Sequence, residues 1–110
     1  MIDIEKLKPL IVERLKPLAP EKIILFGSYA YGTPNEDSDI DLYIVTNDDF
    51  MPQTWKEKSN IYLKYSKRLR DLQKKIPIDL IVHTKQMYEK FIEMDSMFSR
   101  TILQQGKLIA

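Results

Sequence analysis

The feature that most constrains the fold is a pair of aspartates, Asp39 and Asp41, set at the head of an apolar run and preceded by a Gly-Ser turn. Ile23 to Phe26 is an apolar strand that ends at Gly27-Ser28. Glycine lets the backbone turn sharply and approach a ligand closely. Ser28 then opens a short helical turn, where free backbone N–H groups favour an anion such as phosphate. After a loop from Thr33 to Asp37, a second strand runs from Asp39 to Val45. Residues two apart on a strand share a face, so both carboxylates point one way and Ile40, Leu42 and Ile44 point the other, into a core. Aspartate is depleted in strands, and burying a lone carboxylate is costly. A divalent cation with oxygen ligands accounts for two on one face. A phosphate cradle followed by paired carboxylates is the pattern expected of a site for a metal-bound nucleotide.

The rest of the chain supplies a small frame for that stretch. Asp3 to about Lys16 reads as an amphipathic helix, with Asp3 as N-cap and Ile4, Leu7, Ile11, Leu15 and Leu18 as one stripe. Pro9 is expected to kink or restart it. Asn47 to Gln53 is a loop, with Pro52 placed to open a long helix from about Thr54 to Lys74. On that helix Trp55, Tyr62, Leu69 and Leu72 share one face, with Tyr65 nearby, and read as core. A third strand, Ile76 to Val82, again has one carboxylate, Asp79, inside an apolar run. If it pairs beside the second strand, Asp79 joins Asp39 and Asp41. His83, the only histidine, reads as structural. Lys85 to Met94 and Asp95 to Gln105 read as two helices or one broken helix. Gly106 stops the last one, and Lys107 to Ile109 is a candidate terminal strand.

Length and composition exclude several classes. The 110 residues suit one domain, 1–110, with no room for a second substrate-binding domain. Cysteine is absent, which removes disulfides and thiolate metal sites and fits the cytoplasm. No apolar run is long enough to span a membrane. The N-terminus lacks the basic and apolar regions of a signal peptide. Net charge is +1 but uneven: residues 1–50 carry five basic and ten acidic side chains, residues 51–75 eight and two. The basic helix is first of all a solvated face. Direct nucleic-acid binding is not expected, because its aromatics fall at core spacing.

Gly27-Ser28, Gly32 and Ser38-Asp39-Ile40-Asp41-Leu42 resemble the Gly-Ser…Gly…Ser-Asp-x-Asp-Leu signature of the DNA polymerase β-like nucleotidyltransferase superfamily. The short chain resembles its minimal nucleotidyltransferases, many of which are antitoxin partners of HEPN-domain toxin ribonucleases. The resemblance implies an α/β (α+β) palm, a small mixed sheet with helices packed on it. It implies that Asp39, Asp41 and Asp79 are catalytic and hold metal, two Mg²⁺ ions or Mn²⁺, and that Gly27, Ser28 and Ser38 contact the nucleotide. Ser38 also has a local role available as a turn residue. Some relatives carry Arg or Lys between the Gly-Ser and the next Gly; here Tyr29, Ala30 and Tyr31 stand there, which removes one phosphate-neutralising charge.

The implied activity is transfer of a nucleoside monophosphate, AMP from ATP, to a tyrosine of a cognate HEPN toxin. That would make the chain a protein adenylyltransferase and the antitoxin of a type VII-like pair. Two alternatives stand beside it: an antitoxin that neutralises by binding alone, and a subunit that modifies a small molecule such as an aminoglycoside. The basic helix from Lys56 to Lys75 and the apolar segment from Phe98 to Ile109 are the expected docking surfaces for a hetero-oligomeric partner.

Overall fold

Asp3 begins the first helix as the spacing predicts. A computed structural model describes residues 2–110, and in it the Asp3 carboxylate accepts from the Glu5 N–H at 3.2 Å. Helix α1 (Ile4–Leu15) buries Leu7, Ile11 and Leu15, one residue per turn. Pro9 does not restart the helix: α1 runs through it. Proline there removes only the bond to the Glu5 carbonyl, and the buried stripe on either side holds the helix against the sheet. A 3₁₀ turn (Lys16–Leu18) then leads through Ala19, in the left-handed region at φ 47°, to strand β1 (Lys22–Phe26).

The remaining elements are α2 (Ser28–Tyr31), β2 (Ile40–Val45), α3 (Trp55–Arg68), α4 (Arg70–Gln73), β3 (Ile78–His83), α5 (Lys85–Met94), α6 (Met97–Gln105) and β4 (Lys107–Leu108). The four strands form one mixed sheet in the order β3-β2-β1-β4. β1 pairs antiparallel with β2 and with β4, and β2 pairs parallel with β3. A parallel pair needs a crossover connection, which α3 and α4 provide. This is the expected mixed α/β fold.

Alternation along the strands makes two cores. On one face Ile23, Leu25, Ile40, Leu42, Ile44 and Ile78 pack with Leu7, Ile11 and Leu15 of α1 and Tyr65 of α3. On the other, Ile24, Tyr43 and Val45 pack with Ile102 of α6, with Tyr88 and Phe91 of α5 at the margin. His83 belongs to this second layer. Its Nδ1 lies 2.6 Å from the Tyr43 hydroxyl, and its ring meets Phe91 edge-on. Burial first, then the Lys58 charge, pushes its pKa down to about 4, so His83 is the neutral structural residue expected.

Several boundaries differ from the sequence reading. β2 begins at Ile40, so Asp39 is the last loop residue, and β3 begins at Ile78 rather than Ile76. The long helix opens on Thr54, whose hydroxyl accepts from Glu57 N–H at 3.1 Å, and Pro52 stays in the loop. It breaks at Leu69, whose N–H bonds back to Ser66 O, and Tyr65, Leu69 and Leu72 are all buried on the two sides of the break. Trp55 and Tyr62 are not core: Trp55 is 82 % exposed and Tyr62 39 %. Ile61 and Tyr65 take the buried stripe instead. Gly106 ends α6, but at φ −66° and not in the left-handed region. Space is the reason, since a Cβ there would overlap Ile102 O and Ile24 Cγ2.

Candidate active site

The sheet brings the expected acidic residues to one end of one face. In the β2–β3 ladder Asp41 stands directly opposite Asp79, on strands about 4.8 Å apart. In the β1–β2 ladder Asp41 stands opposite Phe26, the residue before Gly27. Asp39 precedes Asp41 by two residues and is exposed, as is Asp79, while Asp41 is half-buried. The carboxylates lie beyond the end of the Tyr43–Phe91 layer, where that face of the sheet meets solvent.

The turn before them is shaped around Asp41. Gly27 has φ +77° and ψ −165°, a combination open in practice only to glycine. A Cβ built there would overlap the Asp41 carboxylate. Ala30 and Tyr31 N–H donate to the Gly27 carbonyl at 3.0 and 3.1 Å. The Ser28 and Tyr29 amides come before those first bonds, where helical N–H groups lack an intrahelical partner. Gly32 closes the turn in the left-handed region at φ 80°. Tyr29 and Ala30 are buried, so this short helix is anchored in the core, whereas Tyr31 is exposed. Ser38 does the local work available to it: its Oγ accepts from Asn35 N–H at 2.9 Å. That bond fixes the loop just ahead of Asp39.

The electrostatics follow from packing like charges. Burial first, then the Asp79 and Asp39 charges, raise the pKa of Asp41. Desolvation first, then the Asp39 charge and a carboxyl contact with Asp39, raise that of Asp79. The donor set is all hard oxygen, which suits a divalent cation that relieves this repulsion. Among the described residues no three His, Cys or acidic side chains enclose an ion on their own. The missing side chain at Gly27 lets the Asp41 carboxylate pack directly against the turn. Gly27, Ser28, Asp39, Asp41 and Asp79 therefore form one constellation suited to phosphoryl-type transfer, which needs positioning and charge neutralisation above all.

The family model described as "Nucleotidyltransferase domain" matches residues 4–109. The chain belongs to this family. Two curated relatives of the nucleotidyltransferase come from Methanocaldococcus jannaschii, both named as candidate protein adenylyltransferases. One is 35 % identical over 89 residues, covering 81 % of this chain and 77 % of the relative. The other is 40 % identical over 73 residues, covering 66 % and 69 %. A solved structure described as a toxin-antitoxin with AMP-PNP has the same fold at TM-score 0.57 and 21 % identity, covering 94 % of this chain and 72 % of that one. The nucleotidyltransferase has no helix, among the described residues, long and apolar enough to cross a membrane.

Two features of the nucleotidyltransferase escaped the sequence reading. The first is the contact between the Gly27 turn and Asp41, which depends on the β1–β2 register. The second is a groove of about 630 Å³ beside β3 that contains Trp55 and Tyr62. Its signal was present: Trp55, Lys58, Ser59 and Tyr62 recur at helical spacing on a face next to that of Ile61 and Tyr65.

Proposed function

We propose that this nucleotidyltransferase moves AMP from ATP to a tyrosine hydroxyl of a cognate HEPN-family toxin, in the cytoplasm, with residues 1–110 acting as one domain. The observation that carries the reading is Asp41 held opposite Asp79 and against the Gly27 turn. The names of the two Methanocaldococcus jannaschii relatives support a protein acceptor. The shared fold with a toxin-antitoxin bound to AMP-PNP agrees with an adenine nucleotide and a toxin partner.

In this mechanism the Gly27–Ser28 turn grips the triphosphate through its free amides, and Ser38 holds the loop that presents Asp39. Asp39, Asp41 and Asp79 would hold two Mg²⁺ ions, or Mn²⁺. Bound there, the metal would neutralise charge on the phosphate oxygens and favour the ionised acceptor. Asp79 lies on the open side of the pair and takes the proton of the acceptor hydroxyl. The acceptor oxygen bonds to the α-phosphorus, the bridging bond to the β-phosphate breaks, and pyrophosphate leaves.

The test is incubation with a HEPN-domain protein from the same organism, ATP and Mg²⁺, read by intact and peptide mass spectrometry. One AMP on a toxin tyrosine is expected, with loss of transfer in Asp41→Asn. Equal neutralisation of the toxin by an Asp39→Asn, Asp41→Asn double variant would support binding alone. Modification of an aminoglycoside, without a complex with the toxin, would support the small-molecule reading.

A further inference from the structure

Strand alternation sets Phe26 of β1 and Asp41 and Tyr43 of β2 on one face of the sheet, with Phe26 directly opposite Asp41. Four aromatic rings run in series over that face. Phe91 of α5 stacks on Tyr43 with ring centroids 5.1 Å apart. Phe98 of α6 meets Phe91 edge-on at 5.9 Å and Phe26 edge-on at 5.8 Å. Asp41 completes the circle of neighbours: it lies two residues before Tyr43 along β2 and beside Phe26 across the ladder. Phe98 therefore borders the carboxylate site from the helix side. Its backbone is held in place, because the Ser96 hydroxyl caps α6 by accepting from Ser99 N–H at 3.0 Å and Ser99 is buried. Phe26 and Phe91 set the orientation of the Phe98 ring, yet Phe98 remains 47 % exposed.

We propose that Phe98 is the platform on which the nucleobase of the donor triphosphate stacks, with a preference for purines. This rests on the transfer reading and specifies the donor within it. Sidedness decides between donor and acceptor. In-line displacement puts the attacking oxygen and the leaving pyrophosphate on opposite sides of the phosphorus. With the triphosphate on the Gly27 turn after β1 and the acceptor hydroxyl at Asp79 on β3, the acceptor approaches from the β3 side. Phe98 leans on Phe26, the residue before Gly27, and so lies on the β1 side with the donor. The carboxylates and the turn amides serve only the charged part of a nucleotide. Its base is a flat ring that gains from an apolar face, and Phe98 offers one next to Asp41 with its orientation already set. Stacking on an aromatic ring accepts any base, and the larger purine removes more apolar area from water.

The test is calorimetric titration of the full chain with ATP, UTP and inorganic tripolyphosphate, each with Mg²⁺, for wild type, Phe98→Leu and Phe98→Trp. Tripolyphosphate carries the phosphates without a base. Wild type should bind ATP more tightly than UTP, and UTP more tightly than tripolyphosphate. Phe98→Leu should weaken ATP binding about tenfold, as expected when one stacked ring is lost. Its affinity for tripolyphosphate should be unchanged, which also reports that the variant is folded. Phe98→Trp should retain ATP affinity. Trp55 is the only tryptophan, so in a Trp55→Phe background the introduced indole can be followed alone. Its fluorescence should be quenched by ATP and not by tripolyphosphate. Equal ATP binding by wild type and Phe98→Leu would overturn the proposal and leave the transfer reading standing; a raised KM for the acceptor protein in that variant would then put the ring on the acceptor's side. Equal weakening of ATP and tripolyphosphate would show a purely structural ring and overturn it too. Failure of wild type to bind either ligand with Mg²⁺ would remove the transfer reading and this proposal together.

Discussion

At the scale of single residues the molecule holds like charges together in a partly dry place, and this has a pH signature. Asp41 takes up its proton at a higher pH in the folded protein than in the unfolded chain, because burial and then Asp79 and Asp39 oppose its charge. In the window just above the ordinary carboxylate range the folded state binds more protons, so this group's contribution to stability falls as pH rises through that window. The penalty is then fully present at neutral pH. Asp41→Asn should therefore melt at the same or a higher temperature than wild type in metal-free buffer at pH 7. The difference should shrink as pH is lowered below the carboxylate range, as calorimetry at several pH values would reveal. A lower melting temperature at pH 7 would mean that the carboxylate is a structural acceptor. Both Asp41 and Gly27 were legible as candidates from residue type and spacing alone. Their contact was not, because it depends on which residues of β1 and β2 face each other.

At the scale of elements, local pattern predicted most of what is seen and failed where packing decides. Both cores follow strand alternation, and the capped start of α1 follows from Asp3. The long basic helix was the weak point. Periodicity finds a stripe on it but does not say whether Trp55 and Tyr62 or Ile61 and Tyr65 meet the sheet, since both sets recur at helical spacing. Pro9 does not restart the helix for a related reason: propensity treats a helix as isolated, while α1 is held by three buried residues. That implies an unrealised gain. Pro9 is exposed, and Pro9→Ala would restore a bond to the Glu5 carbonyl and remove the ring's clash. The variant should be more stable by about 1–3 kcal/mol, visible as a higher urea midpoint with an unchanged slope. An unchanged or lower midpoint would show that the fixed proline torsion already suits this turn.

At the scale of the whole molecule, the C-terminal residues close one side of the sheet while the acidic site sits on the other. Ile109 N–H donates to Ile23 O at 2.8 Å and Ile23 N–H to Ala110 O at 3.1 Å. Removing residues 107–110 would bare β1 as a second open edge. Such a protein should lose thermal stability and aggregate faster, while Asp41 and Asp79 keep their pairing. Mg²⁺-dependent ATP binding by calorimetry should then survive in the fraction that remains folded; its loss there would tie the site to the far edge. The β2–β3 pairing has a consequence of its own for timing. Asp41 and Asp79 come from neighbouring strands joined through two helices, and such long-range parallel pairing forms late. During synthesis the Gly-Ser turn and the first two aspartates emerge well before Asp79. Until β3 docks, the growing chain has a Gly-Ser turn but no carboxylate opposite Asp41. On the proposed roles, competence to hold a nucleotide would then be gained in one step, by the finished sheet, and a nascent chain on the ribosome would have none.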